Sequence, residues 1–239
     1  MQIVELNKQL KIKQDSLVLV TSELLKYKPA PPKQEIVVKQ DNTGPIKTVT
    51  IGTQVWMKEN LNVSVFKNGV AIPEVKDNTA WEKAGDNHQP AWCYYDNDPK
   101  NGAKYGKLYN WYAVSKTTNG NKNVCPTGWH VPTYAEWTVL TDNLGGESVA
   151  GGKMKEVGTT SWNSPNTDAT NTSLFSALPG GLRSDGGYYG GIGSEGIWWS
   201  SSVDNGGIAL TRRLNYVSGS AMGYYGYKFF GLPVRCLKD

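Results

Sequence analysis

At 239 residues and 38% hydrophobic content, the chain is long enough to bury a core as one large domain or two small ones. Its net charge of +4 is spread over scattered Lys and Arg, with no block of five or six, which argues against a nucleic-acid partner. The 27 Gly, 9 Trp and 13 Tyr against 4 Phe describe turns, short strands and amphipathic aromatic surfaces rather than long helices, and no stretch is apolar for long enough to insert into a membrane.

Apolar residues at Ile3, Leu6, Leu10, Leu17, Val20, Leu24 and Tyr27 alternate spacings of three and four, interrupted by Lys13 in a seam position. This predicts a coiled-coil helix over residues 1–28, with Glu23 and Lys28 at g and e positions. An amphipathic helix docked on its own domain, or a strand at Leu17–Val20, fits the same residues. A helix this short is marginal alone, so self-association, with three strands preferred, is the expected source of its stability. The N-terminus lacks a basic segment followed by an apolar run of signal-peptide length.

The prolines of "KPAPPKQ" end the helix, because they lack an N–H and force extended backbone before them. A linker is expected over 29–47 and a globular domain over 48–239. "TVTIGTQVWM" reads as a hairpin turning at Gly52-Thr53. In "CPTGWHVPTYAEWTVLTDNLGG", Thr133 and Glu136 form a capping box that opens a helix of about ten residues, closed by Gly145-Gly146. "GIWWSSS" and "FFGLPVRCL" read as short strands.

Chemistry is sparse along this chain. His88 and His130 show no paired metal-ligand spacing, and no nucleophile, phosphate-loop or dinucleotide motif is present, so no catalytic residues and no cofactor are expected. Asp96–Gly102, "DNDPKNG", offers oxygens at calcium-like spacing, but an Asx-type turn explains it more simply. Three cysteines, Cys93, Cys125 and Cys236, allow one disulfide and leave one thiol.

The stretch Leu182–Leu232 concentrates ten aromatic residues and twelve glycines. Large rigid rings among adaptable Gly and Ser are the composition of an antibody-like binding surface. A half-buried strand over Tyr224–Phe230, with tyrosines filling the core, is the alternative from the residues alone.

The segments "VTIGTQVWMKENLNV", "CYYDNDPKNGAKYGKLYNWYAV", "CPTGWHVPTYAEWTVLTDNLGG", "LPGGLR", "GIWWSSS" and "VRCLKD", in this order, resemble the Fibrobacter succinogenes major paralogous domain, found in Bacteroidetes and their phages. The resemblance implies an α+β, C-type-lectin-like fold, on the branch related to formylglycine-generating enzymes. It also implies a scaffold carrying a C-terminal ligand-facing surface. In many such domains a retroelement diversifies that surface by randomising template adenines, so that AAC codons become NNC codons, which never encode Trp, Lys, Met, Glu or Gln.

Against that pattern, Arg183, Trp198, Trp199, Ser200–Ser202, Ala209, Arg212, Leu214, Lys228 and Gly231 match the scaffold. The open, ligand-facing positions implied are Leu182, Asp185, Tyr188, Tyr189, Ile197, Val203, Asp204, Ile208, Leu210, Arg213, Val217, Ser218, Ser220, Tyr224, Tyr225, Tyr227, Phe229, Phe230 and Leu232, all NNC-type residues. Glu195 and Met222 are not of that type and are excluded. Cys125 and Cys236 fall in scaffold motifs, which implies a structural role or a pairing of the two.

The resulting expectation is a homotrimeric receptor-binding protein of a phage tail tip or fibre, at the virion or an extracellular surface, attached to another tail component by its N-terminal helix. Its partner is a host cell-surface protein or glycan. A bacterial adhesin or polysaccharide-binding module with a fixed site is the second reading, and a cysteine-dependent oxidase the third.

Overall fold

The computed structural model describes residues 5, 9–11, 13–14 and 45–239. The chain divides into two units, Met1–Glu35 and Ile36–Asp239. In the first, the described positions are helical, and Leu10 is exposed. The other seam residues of the expected coiled coil, and the linker to Gly44, lie outside the described residues.

The second unit opens on the hairpin of β1 (Thr48–Ile51) and β2 (Gln54–Met57), paired Ile51 to Gln54. Gly52 turns it at φ 59°, a left-handed conformation that glycine adopts without strain, and a Cβ there would press on the Asn143 side-chain amide at 2.3 Å. The helix α1 (Asn78–Asp86) is capped by Asp77, whose carboxylate accepts the Ala80 N–H at 2.8 Å. Then follow β3 (Trp92–Cys93), a 3₁₀ turn, α2 (Pro99–Tyr105), β4 (Leu108–Tyr109) and α3 (Trp111–Val114). Asp98 caps α2 and Asn97 holds the Tyr189 hydroxyl, so these side-chain oxygens of "DNDPKNG" serve turns and caps.

After β5 (Trp129–His130) comes α4 (Tyr134–Asn143), with the capping box of Thr133 and Glu136 fully formed, and α5 (Glu147–Met154). A long loop leads to β6 (Gly180–Arg183), β7 (Tyr189–Ile192), β8 (Glu195–Val203), β9 (Ala209–Asn215), β10 (Ala221–Gly226) and β11 (Leu237–Lys238). The strands form sheets of order β1-β2-β11-β5 and β10-β9-β8, with the pairs β3-β4 and β6-β7. The mixed α/β architecture is thus built of short antiparallel pieces. The "FFGLPVRCL" segment is a strand only at its end; before it, Gly231 and Leu232 make single bridges to Arg183 and Tyr109.

Apolar residues collect into two main cores on opposite faces of the β8–β9 pair. One holds Ile197, Trp199, Trp111 and Val234; the other holds Trp198, Trp137, Trp56 and Leu214. Adjacent tryptophans thus point into different cores, as the two-residue period of a strand dictates. Cys125 and Cys236 are joined by a disulfide inside the first core.

Candidate recognition surface

Four buried cations brace the C-terminal third. Arg183 lies between the rings of Trp81 and Tyr189 and donates to the carbonyls of Val75, Lys76 and Gly187. Arg212 pairs with Glu147 of α5 and donates to the Ala221 carbonyl. Arg235 gathers Asn60 and three carbonyls. The Lys155 ammonium binds the carbonyls of Thr167, Ser218 and Asn215 at 2.8, 2.8 and 3.1 Å, and burial pushes its pKa down to about 8 against the pull of Asp168. The indoles fix the sheet further: Trp198 Nε1 donates to Asn60 Oδ1 at 2.8 Å and Trp199 Nε1 to the Tyr109 carbonyl at 2.7 Å.

On this frame sit side chains that the core does not use. Tyr188, Tyr224, Tyr225 and Tyr227 are exposed over 73%, 51%, 61% and 60% of their surface. β10 ends at Gly226, so Tyr227–Phe230 is a turn rather than a continued strand; the Phe230 N–H returns to the Tyr227 carbonyl at 2.8 Å. There Tyr227 stacks on Phe229, and both meet Phe230 edge-on. The Lys228 carbonyl accepts the Trp111 N–H, which ties this turn to α3.

The expected positions divide by place. At one end of the β8–β9–β10 sheet, the β8–β9 turn carries Val203, Asp204 and Ile208. The pairings Val203 to Ala209 and Ala209 to Gly226 bring it beside Tyr225 and Tyr227. Phe229 abuts Gly85 of α1, and Gly187 abuts Asn78, which brings the β6–β7 turn with Asp185 and Tyr188 to the same helix. At the other end, a strand length or about 20 Å away, the β9–β10 turn carries Val217, Ser218 and Ser220. Arg213, on the middle strand β9, is paired with Glu195 and lies 5.0 Å from the Tyr224 ring centre, between the two ends.

Two positions are corrected. Ile197 and Leu232 are only 5% and 1% exposed and belong to the first core. Ile197 shares the face of Trp199, and Leu232 is locked to Tyr109 in both directions of a backbone pair. Leu182 and Phe230 are part-buried against that core, Leu210 is half-buried, and Asp204 holds its own turn through the N–H groups of Gly206 and Ile208. Tyr189 is half-buried, with its phenol pushed above the usual range by burial and by Cys93 beside it. Met222, set aside on codon grounds, is 59% exposed. It lies two residues before Tyr224, on the same face, and that strand period was the signal for it.

Beside β10 a shallow cavity of about 210 Å³ is lined by Arg213, Asn215, Ser218, Ser220 and Met222. Among the described residues no group of three or more His, Cys, Asp or Glu side chains is placed to hold a metal ion. Burial pushes the Cys93 thiol up, against the opposing charge of Arg183, so little thiolate forms there at neutral pH. His130 bridges Glu136 and Asp239, and His88 stacks on Tyr112. Among the described residues no helix is long and apolar enough to cross a membrane.

The family model described as the Fibrobacter succinogenes major domain matches residues 49–238. No curated protein and no solved structure gives a significant match.

Proposed function

The chain belongs to the Fibrobacter succinogenes major domain family, and on that premise we propose that it is a target-recognition protein whose C-terminal third is the binding surface. One observation carries the reading: four tyrosines stand more than half exposed on a frame whose Arg183, Trp198, Trp199 and Arg212 are completely buried. None of those four rings belongs to a buried core. Aromatic side chains with few rotatable bonds, among Gly and Ser, give large contact area at low entropic cost. Exposed apolar side chains that cluster mark interaction sites.

The finer parts of the reading belong to the same proposal. The fold is C-type-lectin-like, supported by one sheet that holds both ends of the matched region, β1 and β11, and a separate sheet that carries the loops. The heptad spacing of residues 1–28 supports a trimer, in which three linked copies convert weak single contacts into avidity. A phage tail tip or fibre is the setting that suits such a trimer, with a host cell-surface protein or glycan as target. The exposure of Asp185, Tyr188, Val203, Ile208, Val217, Tyr224, Tyr225 and Tyr227, all NNC-type residues, beside the buried Arg183, Trp198, Trp199, Arg212 and Leu214 supports diversification of the surface by a retroelement. The buried, protonated Cys93 and the paired Cys125 and Cys236 support recognition without catalysis.

Sequencing codons 182–232 across a propagated population tests the diversified form. Substitutions confined to the exposed positions named above, with Trp198, Trp199 and Lys228 constant, are expected. A uniform sequence without an adenine-rich template copy nearby would favour a fixed-specificity adhesin instead.

A further inference from the structure

Strand β10 is an outer strand of its sheet, and its six residues contain no proline, no charge and no bulge. Natural edge strands are usually guarded against pairing by such residues or by a covering helix or loop; here α5 meets β10 at its start, where Gly151 abuts Ser220. The ladder fixes which backbone groups face outward. The Trp199 N–H donates to the Pro233 carbonyl at 3.2 Å, away from β9, so Trp199 and its partner Thr211 are a non-hydrogen-bonded pair. Thr211 therefore directs its amide and carbonyl to the other side, at Tyr224. By alternation Met222, Tyr224 and Gly226 turn their backbone groups inward, while Ala221, Gly223 and Tyr225 turn theirs outward. Arg212 takes the Ala221 carbonyl at 3.0 Å. The N–H and C=O groups of Gly223 and Tyr225 have no partner among the described residues.

Resting on the recognition reading above, we propose that the target is a polypeptide and that an extended segment of it pairs with β10 as a fourth strand of the sheet. Two donors and two acceptors, on residues about 7 Å apart along one edge, match the alternating backbone of an extended peptide. A glycan, whose hydroxyls follow ring geometry, has no such repeat. The side chains fit the same occupant. Met222 and Tyr224 flank one face of the edge and Tyr225 the other, so both sets of alternating side chains of an added strand meet exposed apolar surface. The cavity of about 210 Å³ opens beside Met222, and Glu195 neutralises the Arg213 that lines it. It therefore takes one uncharged side chain of the added strand.

The test screens the full chain against a bead library of eight-residue peptides and against a glycan array, using wild type, Tyr225→Pro, Tyr225→Ala and Tyr225→Phe. Proline at 225 removes an outward N–H and leaves the β9 ladder intact. Peptides are expected to be retained, with affinity falling little for Tyr225→Phe and about tenfold further for Tyr225→Pro than for Tyr225→Ala, which also lacks the ring, the worth of one backbone hydrogen bond. The best peptide, N-methylated at each amide in turn and tested on wild-type protein, is expected to lose affinity at every second position. This scan decides the matter even if Tyr225→Pro does not fold. Failure to retain any peptide, or equal tolerance of N-methylation at all positions, overturns the inference. Glycan binding that is lost in Tyr224→Ala, with no peptide retained, overturns the peptide target while leaving the recognition surface standing.

Discussion

Replacing Arg235 by Met sets two large effects against each other. The guanidinium is 1% exposed and has no ion-pair partner among the described residues; burial pushes its pKa down to about 9, with Glu59 opposing. Removing a buried charge returns its desolvation cost; replacing buried ion pairs by apolar residues of similar volume is neutral or stabilising by about 1–4 kcal/mol in other proteins, which sets the scale. Against this, Nη1 donates to the carbonyls of Lys58 and Phe175 at 2.8 Å and Met57 at 3.3 Å, and Nε and Nη2 both hold Asn60 Oδ1. Methionine leaves those three carbonyls without donors, at about 1–3 kcal/mol each, and forfeits the stacking on Phe175 at 4.4 Å. Asn60 keeps its bond from Trp198. The orphaned carbonyls win, for a net loss of about 3 kcal/mol. In a domain of this size that lowers Tm by about 6–12 °C. Urea titration followed by tryptophan fluorescence reads the change directly. A midpoint unchanged or raised in Arg235→Met would show that desolvation dominates and that this hub is not a source of stability.

Three further outcomes are expected. Burial alone would raise the Glu136 carboxyl, but the Thr133 N–H and hydroxyl, with His130, hold it below the usual carboxylate range. Its cap is then fully stabilising above the ordinary carboxylate pKa and is lost as pH falls through the depressed one. The stability gap between wild type and Glu136→Gln, about 1 kcal/mol at pH 7, should narrow progressively in urea titrations as the pH is lowered below the ordinary carboxylate range. Replacing Cys125 and Cys236 by Ala opens a loop whose ends are 111 residues apart, and should cost about 3–5 kcal/mol by calorimetry. A Cβ at Gly85 would lie 2.8 Å from Phe229 Cβ, so Gly85→Ala should displace the Tyr227–Phe230 turn and shift Trp81 fluorescence. Its global stability should stay within about 1 kcal/mol, because alanine favours the helix.

Local signals were legible from the sequence where one residue type has one physical use. The Thr133–Glu136 box, the Gly52-Thr53 turn and the helix closing near Gly145-Gly146 all depend on backbone groups within a few residues. The buried scaffold was legible too: Arg183, Trp198, Trp199, Arg212 and Leu214 are all 0–1% exposed. Burial of single open positions was not. Ile197 and Leu232 follow the same apolar, NNC-type pattern as Ile208 and Val217, and only pairing with Arg213 on one strand and Tyr109 across the core separates them. The role of Lys155 was equally hidden, because its three carbonyl partners lie 12, 60 and 63 residues away. The Tyr224–Phe230 stretch is not the half-buried strand with core-filling tyrosines, since it leaves its strand at Gly226 and turns, with Tyr224, Tyr225 and Tyr227 exposed.

The most direct test of the recognition surface is a paired measurement on the triple variant Tyr224→Ala, Tyr225→Ala and Tyr227→Ala: its urea midpoint, and its binding to arrayed host-surface proteins and glycans. A midpoint close to wild type with binding abolished is the expected result, because all three rings are more than half exposed. A variant that unfolds, or one that stays folded and binds as wild type does, would contradict it.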